Sequence, residues 1–319
     1  MSAGAAPAAR SRTRWPWLAA AGVVLIVLVV VVARLVRFSG AGAAFVGAYS
    51  GAAPQPVGTP VGFPAWAAWQ HGLNAVFLLF TVRSGWRIHR GGRPSTFWTR
   101  RNDGRIRTAN APVRIAIDLW SHFVADTLWV VNGVLFVVLA AVSGHWARMV
   151  PTDWSVVPQA VSAGLQYASL AWPTEDGWVD YNALQQLSYF LVVYVAGPIA
   201  LLTGLRAAPG LAARLRFLDR RVPLRATSTI HWWTMWFFVA FTAVHVFLVL
   251  ATGAVRNLNH MYAVRDDQSW AGVAVFAVSL VLTLALVVSL RPSVVRRVAG
   301  LTGTVLHRSP KAPRTPPAR

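Results

Sequence analysis

Two histidines inside one apolar run are the residues of this chain best placed to do chemistry. Residues 230–253 read IHWWTMWFFVAFTAVHVFLVLATG, with His231 and His245 fourteen positions apart and Thr234, Thr242 and Thr252 as the other clearly polar side chains. An imidazole inside a bilayer loses its water, and it persists there where a metal, a cofactor or a proton path uses it. At 100° per residue the two rings fall within about 40° of one helix face, separated by roughly 21 Å. One helix therefore offers two imidazoles, one above the other. That geometry suits two stacked haems, each iron taking one ligand here and a second from a neighbouring helix. Two isolated core histidines are the alternative that the remaining histidines must decide against.

The elements that must position these rings are membrane spans. The chain has 319 residues, is 55% hydrophobic with mean hydropathy +0.49, and contains sixteen tryptophans, a profile far from that of a soluble domain. Apolar runs at about 15–33, 65–82, 116–142, 184–205, 230–253 and 270–290 predict six spans. The fold class expected is an all-α polytopic membrane helical bundle, a four-helix di-haem core plus flanking transmembrane helices. Its parts are a basic cytoplasmic tail (1–14), an N-terminal anchor and outer loop (15–64), a four-helix domain (65–255), a last transmembrane helix (256–290) and a basic, Pro-rich cytoplasmic tail (291–319). The first run is too long for a signal-peptide core and reads as a retained anchor, with cleavage near Ala41–Ala44 as the alternative. Residues 39–64 read as an ordered outer loop, and 155–172 as a short amphipathic helix on the membrane surface. Gly197 and Pro198 should interrupt the span 184–205. The tail is expected to be disordered.

Charge gives orientation. Residues 83–114 hold nine arginines against one acid, which assigns them to the cytoplasm, as does the basic segment after Leu205. Residues 143–182 hold Asp153, Glu175, Asp176 and Asp180 against Arg148, and read as outside. Apart from Arg34 and Arg37 beyond the first span, the alternation closes with both termini cytoplasmic in a multi-pass cell-membrane protein. The net charge of +20 belongs to these connecting segments and does not imply nucleic acid. With no cysteine, the chain itself cannot carry c-type haem, a cysteine-ligated iron-sulfur cluster or a disulfide.

Of eight histidines, four lie within spans, namely His71, His122, His231 and His245. In this topology His71 sits roughly 9 Å below the outer boundary, at about the depth of His245, while His122 and His231 both lie toward the inner side. The expected pairs are therefore His71 with His245 on an outer haem and His122 with His231 on an inner one. Two imidazoles on each iron leave no open position, which points to electron transfer rather than O₂ chemistry. Gly133, eleven residues after His122 and about 20° off its face, would leave room for the outer porphyrin, or else serves close helix packing. Asp126, one turn beyond His122, would orient a ligand, relay protons or hold a structural hydrogen bond. His145 and His260, on the outer side, are candidates for propionate or quinone contacts, or simply interfacial residues.

Four stretches then carry a resemblance: HGLNAVFLLFTVRSGWRI from His71, VVNGVLFVVLAAVSGHWAR ending at Arg148, DYNALQQLSY from Asp180, and the histidine pair of 230–253. In this order they resemble the di-haem membrane cytochrome b subunits of thiosulfate reductase, formate dehydrogenase and nickel-iron hydrogenase, over about residues 65–255. The resemblance implies two haem b groups on His71, His122, His231 and His245. It implies electron exchange between a quinone, menaquinone or ubiquinone, and a peripheral redox subunit, a molybdopterin oxidoreductase or iron-sulfur protein. It also implies a quinone pocket near Tyr181, Asn182 and Gln185, with Asn74 a weaker candidate. Two other readings use the same histidines: a self-contained transmembrane di-haem reductase that needs no partner, and a haem-free transporter or proton channel.

Overall fold

Long apolar runs dictate the architecture, because a backbone in hydrocarbon must satisfy its own hydrogen bonds and the helix does so within one segment. The computed structural model describes residues 15–92, 94–103, 107–172, 176–218 and 220–307. The expected basic tail 1–14 and positions 308–319 lie outside the described residues. In chain order the helices are α1 (Trp15–Arg37), α2 (Gly40–Ala48), α3 (Ala65–Arg90), α4 (Ile117–Val142), α5 (Val156–Ala168), α6 (Ala183–Phe190), α7 (Gly197–Ala207), α8 (Pro209–Arg214), α9 (Leu224–Ala251), α10 (Ala254–Leu258), α11 (Ala271–Ser289) and α12 (Pro292–Thr302). The protein is an all-α polytopic membrane bundle. Among the described residues five stretches are long and apolar enough to cross a bilayer: α1, α4, α6 through α7, α9 and α11. Helix α3, the remaining expected span, has 26 residues and the length to cross, but Gln70, His71, Asn74, Arg83, Arg87 and Arg90 make it more polar than those five.

The chain divides into two compact units, one of Met1–Pro54, Pro151–Asp176 and Asp180–Leu187, the other of Gln55–Val150, Gly177–Val179 and Ser188–Arg319. In the first unit α1 is apolar on every side, and among its residues Ala33 is the one buried side chain, as suits a helix whose solvent is lipid. Residues 39–64, expected as a loop, begin with α2, which Ser39 caps by accepting a hydrogen bond from the Gly42 backbone at 3.1 Å. The expected amphipathic helix of the outer loop is α5. Its inner face docks on protein, where Val156 and Ala160 pack with Ala53, Ala183, Leu184 and Leu187.

In the second unit α3 packs along α4, and α7 along α9. Asn132 of α4 ties the first pair together by donating to the Gln70 carbonyl at 3.3 Å. The interruption expected at Gly197 and Pro198 takes the form of a π-turn, Leu191–Ala196, in which the Gly197 N–H donates to the Val192 carbonyl five residues back. The wider turn absorbs the hydrogen bond that proline cannot make. A second π-turn, Asn259–Ala263, links α10 to the stretch leading into α11.

Two findings correct the reading of the basic segments. Strands β1 (Thr96–Arg100), β2 (Arg114–Ala116) and β3 (Gly303–His307) form an antiparallel sheet in the order β2-β1-β3, with Trp98 opposite both Ile115 and Val305. The tail, expected to be disordered, instead forms α12 and β3 over residues 292–307. Composition misled here because the tail's order comes from pairing with β1. The Trp98 indole also donates to the Ala299 carbonyl at 3.0 Å and Thr96 bonds His307 at 2.9 Å.

Candidate functional site

Helix α9 brings its two histidines against two other helices. The His245 ring faces His71 of α3 with centroids 6.2 Å apart and planes at 58°. The His231 ring faces His122 of α4 with centroids 6.1 Å apart and planes at 86°. Because a metal–imidazole bond is about 2 Å and the ring centre lies roughly 1 Å behind the nitrogen, two imidazoles on opposite sides of one metal have centres about 6 Å apart. Both pairs match that spacing. Among the described residues α9 makes no backbone approach to α3 or α4 comparable with those inside the pairs α3–α4 and α7–α9. The histidines thus meet across a slot between two helix pairs, and the donor set fits a haem iron at each level.

In the His122–His231 pair each ring has a hydroxyl at its Nδ1. Ser84 of α3 donates its hydroxyl proton to the Phe80 carbonyl at 2.7 Å and lies 2.9 Å from His122 Nδ1. Thr203 of α7 donates to the Ile199 carbonyl at 2.6 Å and lies 3.0 Å from His231 Nδ1. Assigning each hydroxyl proton to its own helix makes Nδ1–H the donor to the hydroxyl oxygen and leaves Nε2 with the free lone pair that a metal would need. The next residue in each case is a glycine against the ring: a Cβ on Gly85 would stand 3.4 Å from His122 Cε1, and one on Gly204 would stand 3.3 Å from His231 Cε1. Asp126 Oδ2 lies 3.4 Å from His122 Nε2, longer than a hydrogen bond.

The other pair has different company. His71 Nδ1 is buried without a hydrogen-bond partner, and its ring meets Tyr262 edge-on at 5.9 Å. His245 stacks on Phe241 at 5.6 Å and meets Tyr189 edge-on at 6.3 Å.

The remaining sequence candidates have surroundings of their own. A Cβ on Gly133 would meet no heavy atom within 4 Å, so the residue borders open space. Tyr181, Asn182 and Gln185 belong to the first unit. There Asn182 and Gln185 cap α6 reciprocally: the Asn182 side chain accepts from the Gln185 backbone at 2.9 Å, and the Gln185 side chain accepts from the Asn182 backbone at 3.0 Å. Asn182 also donates to the Tyr167 hydroxyl at 2.9 Å. His145 bonds Ser143 at 3.0 Å, and burial pushes its imidazole below the usual range. His260 is buried beside Phe63 and Trp178, with Nε2 2.8 Å from Asp266 Oδ1. Hydrogen bonds from Arg256 and His260 hold the Asp266 carboxyl down at about 2.

Sequence reasoning passed over Ser84, Gly85, Thr203 and Gly204. Their signal is a hydroxyl–glycine dipeptide in each of two long helices, informative only once the partner histidine is known. The family model of prokaryotic cytochrome b561 matches residues 62–264, which include all four intramembrane histidines. No curated protein and no solved structure matches the chain.

Proposed function

Because the chain belongs to the prokaryotic cytochrome b561 family, we propose that it is the electron-carrying membrane subunit of an oxidoreductase complex, joining the quinone pool to a peripheral redox partner. Membership makes it an integral membrane b-type cytochrome of electron transport. The finer assignment is two haem b groups, one held by His71 and His245 and the other by His122 and His231. The observation that carries it is the pair of ring separations, 6.2 and 6.1 Å, each the span of two imidazoles on one metal. When bound, haem supplies a one-electron carrier at each level. The paired imidazoles would hold each iron from both sides and leave it no vacant place for O₂, so the chemistry supplied would be one-electron transfer. Ser84 and Thr203 hold the lower two rings in the ligating tautomer.

Helix α3 is the sixth span in this reading, and both termini face the cytoplasm, as the arginine-rich connections favour. Tyr181, Asn182 and Gln185 are assigned to quinone contact, and the partner is a molybdopterin oxidoreductase or an iron-sulfur protein. A chain without cysteine leaves any cysteine-ligated cluster to that partner. The test is the visible spectrum of the purified chain. Reducible low-spin b haem near two per polypeptide is expected, and a folded but colourless protein would end the reading. A purified chain that reduced an external acceptor with no co-purifying redox subunit would shift the assignment to a self-contained reductase.

A further inference from the structure

We propose that Ser84 and Thr203 are positioning residues that lower the redox potential of the iron held by His122 and His231 below that of the iron held by His71 and His245. This rests on the two-haem reading above and adds to it an energetic difference between the two levels.

Two hydroxyls stand in the same local arrangement on different helices. Each donates its proton four residues back along its own helix, Ser84 to Phe80 and Thr203 to Ile199. A hydroxyl that donates to a carbonyl is polarised and becomes a stronger acceptor through its oxygen. That oxygen stands 2.9 Å from Nδ1 of His122 in one case and 3.0 Å from Nδ1 of His231 in the other. An Nδ1–H drawn toward an acceptor leaves more electron density on Nε2, so the ring is a better donor to iron and favours the ferric state. Gly85 and Gly204 let each ring lie flush on the helix that carries its hydroxyl. Both imidazoles of this level are therefore treated alike, and their effects on an iron held between them would act in the same direction.

The other level lacks this device. Among the described residues no hydrogen bond reaches the His71 or His245 ring, and Nδ1 of His71 is buried without a partner. Aromatic rings surround them instead. The difference between the levels gives the chain a polarity: at equilibrium the His71–His245 level holds an electron in preference to the His122–His231 level.

Redox titration of the haem-loaded chain in detergent, followed by b-type absorbance, tests this. Wild-type protein is expected to show two midpoints, the lower one lost in His122→Ala. Ser84→Ala and the shape-preserving Thr203→Val should each shift the lower midpoint upward and leave the upper one in place. Ser84→Thr and Thr203→Ser should restore the wild-type value. Thr283→Ala, which removes a hydroxyl bonded to the Ser279 carbonyl on α11, should move neither midpoint. Ser84→Cys, a weaker acceptor of similar reach, should give a smaller shift and replaces the alanine variant if that fails to load. Two loaded haems whose lower midpoint stays fixed in both Ser84→Ala and Thr203→Val would overturn the proposal while leaving the haem reading intact. A wild-type chain without haem would overturn the reading it rests on.

Discussion

The pairing of the four histidines makes a prediction that single substitutions cannot. Each ring has one partner, at 6.2 Å for His71 and His245 and 6.1 Å for His122 and His231. The two histidines of α9 are fourteen residues apart, or roughly 21 Å along the helix, so a ring that loses its partner has no substitute within reach. Replacing any one histidine by alanine should therefore remove one of two low-spin haems. The informative comparison is between double variants. His71→Ala with His245→Ala strips one level twice, and should retain one low-spin haem, no fewer than either single variant. His71→Ala with His231→Ala strips both levels, and should retain none. Haem extracted per polypeptide, together with the low-spin electron paramagnetic resonance signal, measures the outcome. If the cross-level double variant kept one low-spin haem, or the same-level double lost both, the assignment of partners would be wrong.

Three further outcomes follow from the packing around the site. In Gly272→Ala a Cβ would collide with the backbone of Leu258 and Asn259; overpacking of this kind costs about 1–3 kcal/mol, and a melt in detergent should show a lower Tm. Arg148 is buried, bonded to the Gly177 carbonyl at 2.7 Å and the Gly62 carbonyl at 2.5 Å, with its guanidinium over Phe63. Arg148→Lys cannot fork between both carbonyls and should destabilise by about 1–3 kcal/mol, read as a lower denaturation midpoint; an unchanged midpoint would count against that network. Asp266 has its carboxyl lowered from 3.8 to about 2, so its contribution is fully present above about pH 4 and is lost as pH falls toward 2. Because the group is exposed the effect is under about 1 kcal/mol. Asp266→Asn should flatten the acid side of the stability curve, and an identical slope in both proteins would refute the sign.

What could be read from the sequence follows from the range of the physics involved. A span announces itself because each residue in hydrocarbon is selected separately for transfer into lipid, so α1, α4, α9 and α11 stand out as runs. Helix α3 was harder to bound. It continues eight residues past Val82 to Arg90, where long arginine side chains let a helix leave the apolar zone without ending. The four intramembrane histidines were visible as an anomaly of residue type, but Ser84 and Thr203 were not. A serine or threonine in a span ordinarily bonds its own helix, and both do; the second bond, to the histidine of a neighbouring helix, exists only in three dimensions. The sheet was invisible for the same reason, since β1 finds its second partner across most of the chain, and strands of three to five residues carry no periodic signal.

That sheet ties the order of synthesis to the order of closure. Thr96 and His307 are 211 positions apart, so when β1 is made it has β2 to pair with on one side and nothing on the other. Its open edge stays available until helices α4 to α12 have been made and β3 emerges. A chain released before that point would carry an unsealed strand beside Trp98, the kind of edge that proteases and other unfinished chains find first. Pairing with β3 thus marks the moment at which β1 passes from the edge of the sheet to its middle.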